Sequence, residues 1–175
     1  GRTWVGSRGF GLCRVDGDRL RQVPNGYLEL IIESMQLGRD GNVWVGSNLG
    51  LFRTEGERLH PFQEATFGHY SRIPSVLEDR EGTLWAGTWQ EGLVHLRRAT
   101  LDLIGPHQGL TGGVFSLAPR RAGGVWLTTS KGEIRTLQGT TLRVPGNLGT
   151  VLPNHLVGKD ILEDAQGVVW IGTLK

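Results

Sequence analysis

The chain has 175 residues, 38% of them hydrophobic, with 19 basic and 17 acidic side chains and a net charge of +2. That length is enough for a substantial core. Sixteen of the basic residues are Arg, scattered among the acids, which argues against a nucleic-acid face. One cysteine, Cys13, excludes an internal disulfide framework and a thiolate zinc cluster, and no stretch approaches the ~18 apolar residues of a membrane-spanning helix.

Five phrases recur along the chain: Trp4-Val5-Gly6-Ser7, Trp44-Val45-Gly46-Ser47, Trp85-Ala86-Gly87-Thr88, Trp126-Leu127-Thr128-Thr129 and Trp170-Ile171-Gly172-Thr173. Their Trp residues stand 40, 41, 41 and 44 positions apart. A period in the low forties with strand-like content predicts an all-β fold, a partial β-propeller of about four four-stranded antiparallel blades.

In chain order, residues 1–24 supply the second, third and fourth strands of a blade, and 25–66 supply the next. Residues 67–105 hold the clearest copy. Its predicted strands are Val76 to Asp79, Thr83 to Thr88, Leu93 to Arg97 and Leu101 to Ile104, separated by Gly-containing turns. Residues 106–145 follow, and 146–175 supply a first and second strand only. The chain thus opens and closes on the same strand of the repeat. Open edges and apolar blade faces lead us to expect a piece of a larger propeller, or a ring completed by self-association.

Gly41, Gly82, Gly123 and Gly167 each precede a Trp by three residues, where a tight turn calls for positive φ. Asp79 and Asp164 lie three residues ahead of their Gly and are placed to accept turn N–H groups. Gly38 and Arg120 hold that place elsewhere, which makes the Asp an aid to the turn and not a metal ligand. The repeated Trp rings are expected to pack between neighbouring blades, with a sugar-stacking ladder as the alternative.

Two stretches carry a family pattern. Leu77-Glu78-Asp79-Arg80-Glu81-Gly82-Thr83-Leu84-Trp85-Ala86-Gly87-Thr88, followed by Gly92-Leu93, resembles the two-component regulator propeller repeat, as does Leu162 through Thr173. Gly109-Leu110-Thr111 is similar to the family's lead-in to the innermost strand. The repeat around Trp126 departs most, with Thr128 in place of Gly and Gly132-Glu133 in place of Gly-Leu, so that blade is expected to be looser or differently paired at its edge. The resemblance implies a periplasmic or extracytoplasmic sensor region of a hybrid histidine kinase or a membrane-bound diguanylate cyclase. It also implies seven-bladed propellers that sense ligands such as glycan fragments.

Propellers bind ligands at the mouth of their channel. The loops expected there present His69, Tyr70, Arg72, His107 and Gln108, with Asn25, Tyr27, Asn154 and His155, and on the second set Arg8, Asn48, Trp89, Gln90, Glu91 and Lys131. Trp89 is the one Trp outside the repeat register. It either packs on the neighbouring blade or stacks a sugar ring beside Gln90 and Glu91. His69, His107 and His155 are unevenly placed, which argues against a zinc site, and no cofactor motif is present. Mid-strand His95 reads as a partly buried, hydrogen-bonded residue. The reading is a binding protein and not an enzyme, with a small-molecule or glycan ligand, the remaining blades or a second copy as partners, no nucleic acid, and a membrane only through segments beyond this chain. A propeller lyase or hydrolase and a protein-interaction platform are the alternatives.

Overall fold

The computed structural model describes residues 2–62, 72–97, 100–146 and 157–174, with the backbone alone at 97 and 100–102. The chain divides into two compact units, Gly1–Val76 and Leu77–Lys175. All regular structure among the described residues is antiparallel β, apart from one 3-10 turn at Pro106–Gln108.

The first unit holds a three-stranded sheet, β1 (Thr3–Ser7), β2 (Gly11–Asp16) and β3 (Arg19–Gln22), and a four-stranded one. The latter runs in chain order through β4 (Ile32–Leu37), β5 (Val43–Ser47), β6 (Gly50–Glu55) and β7 (Arg58–Pro61). Leu12, Val23, Leu30, Val43, Val45, Phe52 and Leu59 form its core, against which Trp4 and Ile32 pack. Cys13 is a buried free thiol.

The second unit contains β8 (Ser75–Glu78, which begins just before it), β9 (Leu84–Gly87), β10 (Leu93–Arg97) and β11 (Thr100–Ile104) as one sheet. A second sheet comprises β12 (Val114–Pro119), β13 (Val125–Thr129), β14 (Ile134–Gln138) and β15 (Thr141–Arg143), and a third β16 (Val157–Glu163) and β17 (Val169–Leu174). Each sheet is a meander of neighbouring strands. This is the blade order of a propeller, and the fold is all-β and propeller-like, with three four-stranded blades among the described residues.

Strand β13 is buried at every position because a blade lies on each side of it. Val125 and Leu127 join Leu77, Trp85 and Leu93 on one face, whereas Trp126 joins Ala118, Ile134 and Ile161 on the other. Alternation along a strand sends successive side chains to opposite neighbours, so packing between blades is what the Trp register achieves here. Trp44, Trp85 and Trp126 are buried. Trp170 departs from the expectation at 60% exposed; it lies on β17 of a two-stranded sheet, where no described strand follows to cover the ring. His95, expected to be partly buried, is buried and stacks on Trp85 at 4.4 Å between ring centroids.

The turn before each Trp is the same device four times. Gly41, Gly82, Gly123 and Gly167 have φ between 80 and 88°, and each donates its N–H to the carbonyl three residues back, that of Gly38, Asp79, Arg120 or Asp164. Asp79 Oδ1 accepts the Glu81 and Thr83 N–H groups, while its Oδ2 accepts the Trp85 indole N–H at 2.7 Å. Asp164 repeats this arrangement on Gln166, Val168 and Trp170. Where Arg120 replaces the Asp, the Trp126 indole N–H donates to Glu163 of the next sheet instead, at 2.7 Å.

The Trp170 indole N–H, followed by the Val168 N–H, holds the Asp164 carboxyl below the ordinary carboxylate range. A carboxyl depressed in the fold contributes stability above its unfolded value and loses it as pH falls through the folded one. The β16–β17 turn should therefore keep its stability down to about pH 4 and lose it below. Carboxyl chemical shifts should give Asp164 a midpoint lower than that of an unstructured Asp. A midpoint at the unstructured value would remove this account.

The Thr128 sheet is a complete four-stranded blade, with β13 paired normally to β14. Its departure from the Gly pattern is met in packing: a Cβ added to Gly158 on β16 would lie 3.0 Å from Thr128 Cγ2. In the first unit the sizes are reversed, because a Cβ on Gly6 would fall onto the Ile32 side chain of the next sheet. Ile32 and Gly158 hold the same place, each opposite the last residue of the Trp phrase (Ser47 and Thr173). The bulk has moved from one side of the blade contact to the other.

Candidate functional site

The Ser or Thr ending the first four Trp phrases fixes the loop that follows. Ser47 and Thr88 donate their hydroxyls to the carbonyls of Gly50 and Gly92, and accept the N–H groups of Leu49 and Glu91. Ser7 accepts from Gly9 and Phe10, and Thr129 from Lys131 and Glu133. These are local side-chain turns of the kind Ser and Thr favour. They set the loops in which a ligand contact was expected, Trp89 to Glu91 among them.

The Trp89 loop is stitched to the next blade. The Val114 N–H donates to the Thr88 carbonyl at 2.9 Å, and Gly113 lies so close to the Trp89 backbone that a Cβ there would strike it. This seats Trp89 against Phe115 with ring centroids 4.8 Å apart and planes tilted by 41°. Trp89 packs on the neighbouring blade and nevertheless keeps 38% of its surface exposed.

Phe115 owes its direction to a bulge. The β12–β13 register shifts between Val114 and Ser116, leaving Phe115 as the extra residue, and a bulge re-aims the side chain it carries. Strand β16 has the same shift between Gly158 and Asp160, with Lys159 as the extra residue. Lys159 Nζ stands 3.7 Å from the Phe115 ring centroid and 5.7 Å from that of Trp89. Three consecutive blades therefore contribute one residue each to an aromatic pair capped by an ammonium group.

Gln90 and Glu91 lie exposed beside Trp89. His107 is exposed on the 3-10 turn, which Gln108 fastens by accepting the Gly105 N–H. Arg72 lies in the first unit and pairs with Glu33 at 2.8 Å; Glu33 is the bulge residue of β4, between Ile32 and Ser34. Asn25 and Asn48 are occupied with their own loops, accepting the N–H groups of Tyr27 and Ile31. His69, Tyr70, Asn154 and His155 lie outside the described residues. The first unit also has a cleft of about 320 Å³ between Trp4, Arg14, Arg21, Glu57 and Arg58. Two of its Arg residues are ion-paired, Arg14 to Glu57 and Arg21 to Asp16.

Phe115, Lys159 and Glu33 were missed from the sequence. A usable signal was there: Ile32-Glu33-Ser34, Val114-Phe115-Ser116 and Gly158-Lys159-Asp160 hold one place in the repeat, and the middle residue of each is the bulge.

The family profile of the two-component regulator propeller matches residues 68–90 and 151–175. Those two segments are similar to the two-component regulator propeller repeat. The first matched segment runs through the Asp79 turn to Trp89-Gln90, so the aromatic loop belongs to the repeat itself. No curated protein sequence matches the chain.

Among solved structures, the extracellular domain of a hybrid two-component system of B. thetaiotaomicron is similar over 97% of this chain, with a TM-score of 0.76 and 20% identity. The chain spans about a quarter (24%) of that structure. Virginiamycin B lyase from Staphylococcus aureus is similar over 98% of this chain and 59% of its own, with a TM-score of 0.68 and 13% identity. PorZ, a surface component of the type-IX secretion system of Porphyromonas gingivalis, shares the fold over 98% of this chain and 30% of its own, with a TM-score of 0.68 and 13% identity. At such identities the likeness is one of fold. The fold is thus shared with the extracellular domain of a two-component system and also with a lyase.

Proposed function

We propose that this chain is part of the extracytoplasmic sensory propeller of a bacterial membrane signalling protein, whose output is a two-component kinase or a diguanylate cyclase. It binds a small molecule or glycan fragment without transforming it. The observation that carries this reading is the match of two segments to the two-component regulator propeller. The likeness to the B. thetaiotaomicron extracellular domain supports it. Further blades of the parent protein, or a second copy, complete the propeller, and ligand binding shifts how two such regions pack in a dimer.

The contact surface in this proposal is the partly exposed Trp89, with Gln90 and Glu91 beside it. An indole face stacks a pyranose while neighbouring polar groups take its hydroxyls. Calorimetric titration of the protein with neutral and acidic oligosaccharides tests this, together with chromatography of each ligand after incubation. Trp89→Ala should fold normally and bind at least about fivefold more weakly, since losing an aromatic anchor costs upwards of ~1 kcal/mol. Equal affinity in the variant would remove Trp89 from the site. Breakdown of the ligand would replace the sensory reading with a lyase or hydrolase.

A further inference from the structure

We infer that the cleft between the first and second sheets is a binding site for a small organic anion, a carboxylate or phosphate monoester on a ring-sized apolar body. It is separate from the Trp89 surface and does not rest on the sensory reading.

The pairing of β1, β2 and β3 sets Trp4, Arg14 and Arg21 directly opposite one another in a single row across the sheet. Residues so placed share a face, and like charges there repel. The row looks toward the second sheet. Gly6, on the same face as Trp4, abuts Ile32, and Arg14 Nη1 reaches Glu57 Oε1 at 3.0 Å. Arg58 enters the cleft from the start of β7, and Asp16 answers Arg21 at 2.8 Å. Three guanidinium groups thus meet two carboxylates. Arg58 is the one left over, its side chain having no ion pair or hydrogen bond among the described residues. Arg14 and Arg21 each spend one nitrogen on their carboxylate. A guanidinium carries five N–H donors in a planar fork that fits an oxyanion, so donors remain on all three.

The matching row of the second sheet is Trp44, Arg53 and His60. There the guanidinium lies 4.9 Å over the Trp44 ring and pairs with Asp40 of its own sheet. In the next sheet His95 stacks on Trp85. In the first sheet Glu57 holds Arg14 toward the facing sheet instead, and a cavity of about 320 Å³ remains. Trp4, Val23 and Pro24 supply the apolar part of its lining. That volume lies at the small end of ligand sites, which fits a single ring bearing one acidic group.

The test titrates the intact chain with benzoate, phenyl phosphate, inorganic phosphate and neutral benzyl alcohol, using calorimetry and the NMR shift of the Trp4 indole N–H. We expect benzoate or phenyl phosphate to bind at least about tenfold more tightly than benzyl alcohol, and Arg58→Gln to remove that advantage. The denaturant midpoint of the variant checks its folding, and added salt should weaken anion binding to the parent chain independently of any substitution. Carboxylate and phosphate are told apart by which arm responds. Benzyl alcohol bound as tightly as the anions, or Arg58→Gln binding like the parent, would overturn the site. Inorganic phosphate bound as tightly as phenyl phosphate would overturn the organic ligand. Trp89→Ala should bind these anions unchanged, so failure here leaves the sensory reading standing.

Discussion

Trp85→Ala should lower the unfolding free energy by roughly 3–5 kcal/mol, and Trp170→Ala by less than about 1 kcal/mol, although the two residues hold the same place in the repeat. Trp85 is 3% exposed. Its ring stacks on His95, its indole N–H satisfies Asp79, and it belongs to the cluster of Leu77, Leu93, Val114 and Leu127. Truncation would open a cavity between two blades and strip a buried carboxylate of a donor. Trp170 makes the same indole bond to Asp164, but its ring is largely in solvent and no cavity would follow. Denaturant unfolding of both variants decides the matter. Equal losses would mean that the turn bond, and not burial between blades, is what the Trp contributes.

Gly158→Ile should cost about 1–3 kcal/mol by overpacking, and Thr128→Gly in the same chain should recover part of it. The double variant recreates the Gly6/Ile32 pairing of the first unit, where the small residue is on the Trp strand and the large one on the following sheet. Thr128 is fully buried, and its hydroxyl has no hydrogen-bond partner among the described residues. Its methyl is therefore the part that fits the blade contact. A double-mutant cycle should show a coupling of at least about 0.5 kcal/mol favouring the exchanged pair. Simple additivity would mean that the two positions do not share the contact.

Much of the blade could be read from residue types because the repeat meets local needs. A positive-φ turn requires Gly, which placed Gly41, Gly82, Gly123 and Gly167 correctly, and all four donate the bond that closes the turn. Asp79 and Asp164 were legible as turn acceptors for the same reason. Their second role, holding the indole six residues on, depends on a fold-back that spacing does not display. Burial of Trp126 followed from the period, whereas exposure of Trp170 did not, because identical phrases differ in what lies beside them.

The site shows the same division more sharply. Trp89 stood out by falling outside the register, and it packs on Phe115 of the next sheet while staying partly exposed. Gln108, Asn25 and Asn48 were equally plausible by residue type, but they are engaged in their own loops. Phe115 and Lys159 read as ordinary strand residues until the bulges are seen, since one inserted residue re-aims a side chain without altering the hydrophobic pattern around it.

By itself, the sequence determined the repeat, the blade as its unit and the turns, because each rests on contacts within about forty residues and on backbone preferences. Only the tertiary structure decided which Trp rings are covered, how Thr128 is accommodated, and that Trp89, Phe115 and Lys159 meet. These three residues span seventy positions of chain and come together through blade-to-blade packing, which depends on shape complementarity across sheets and not on any local pattern.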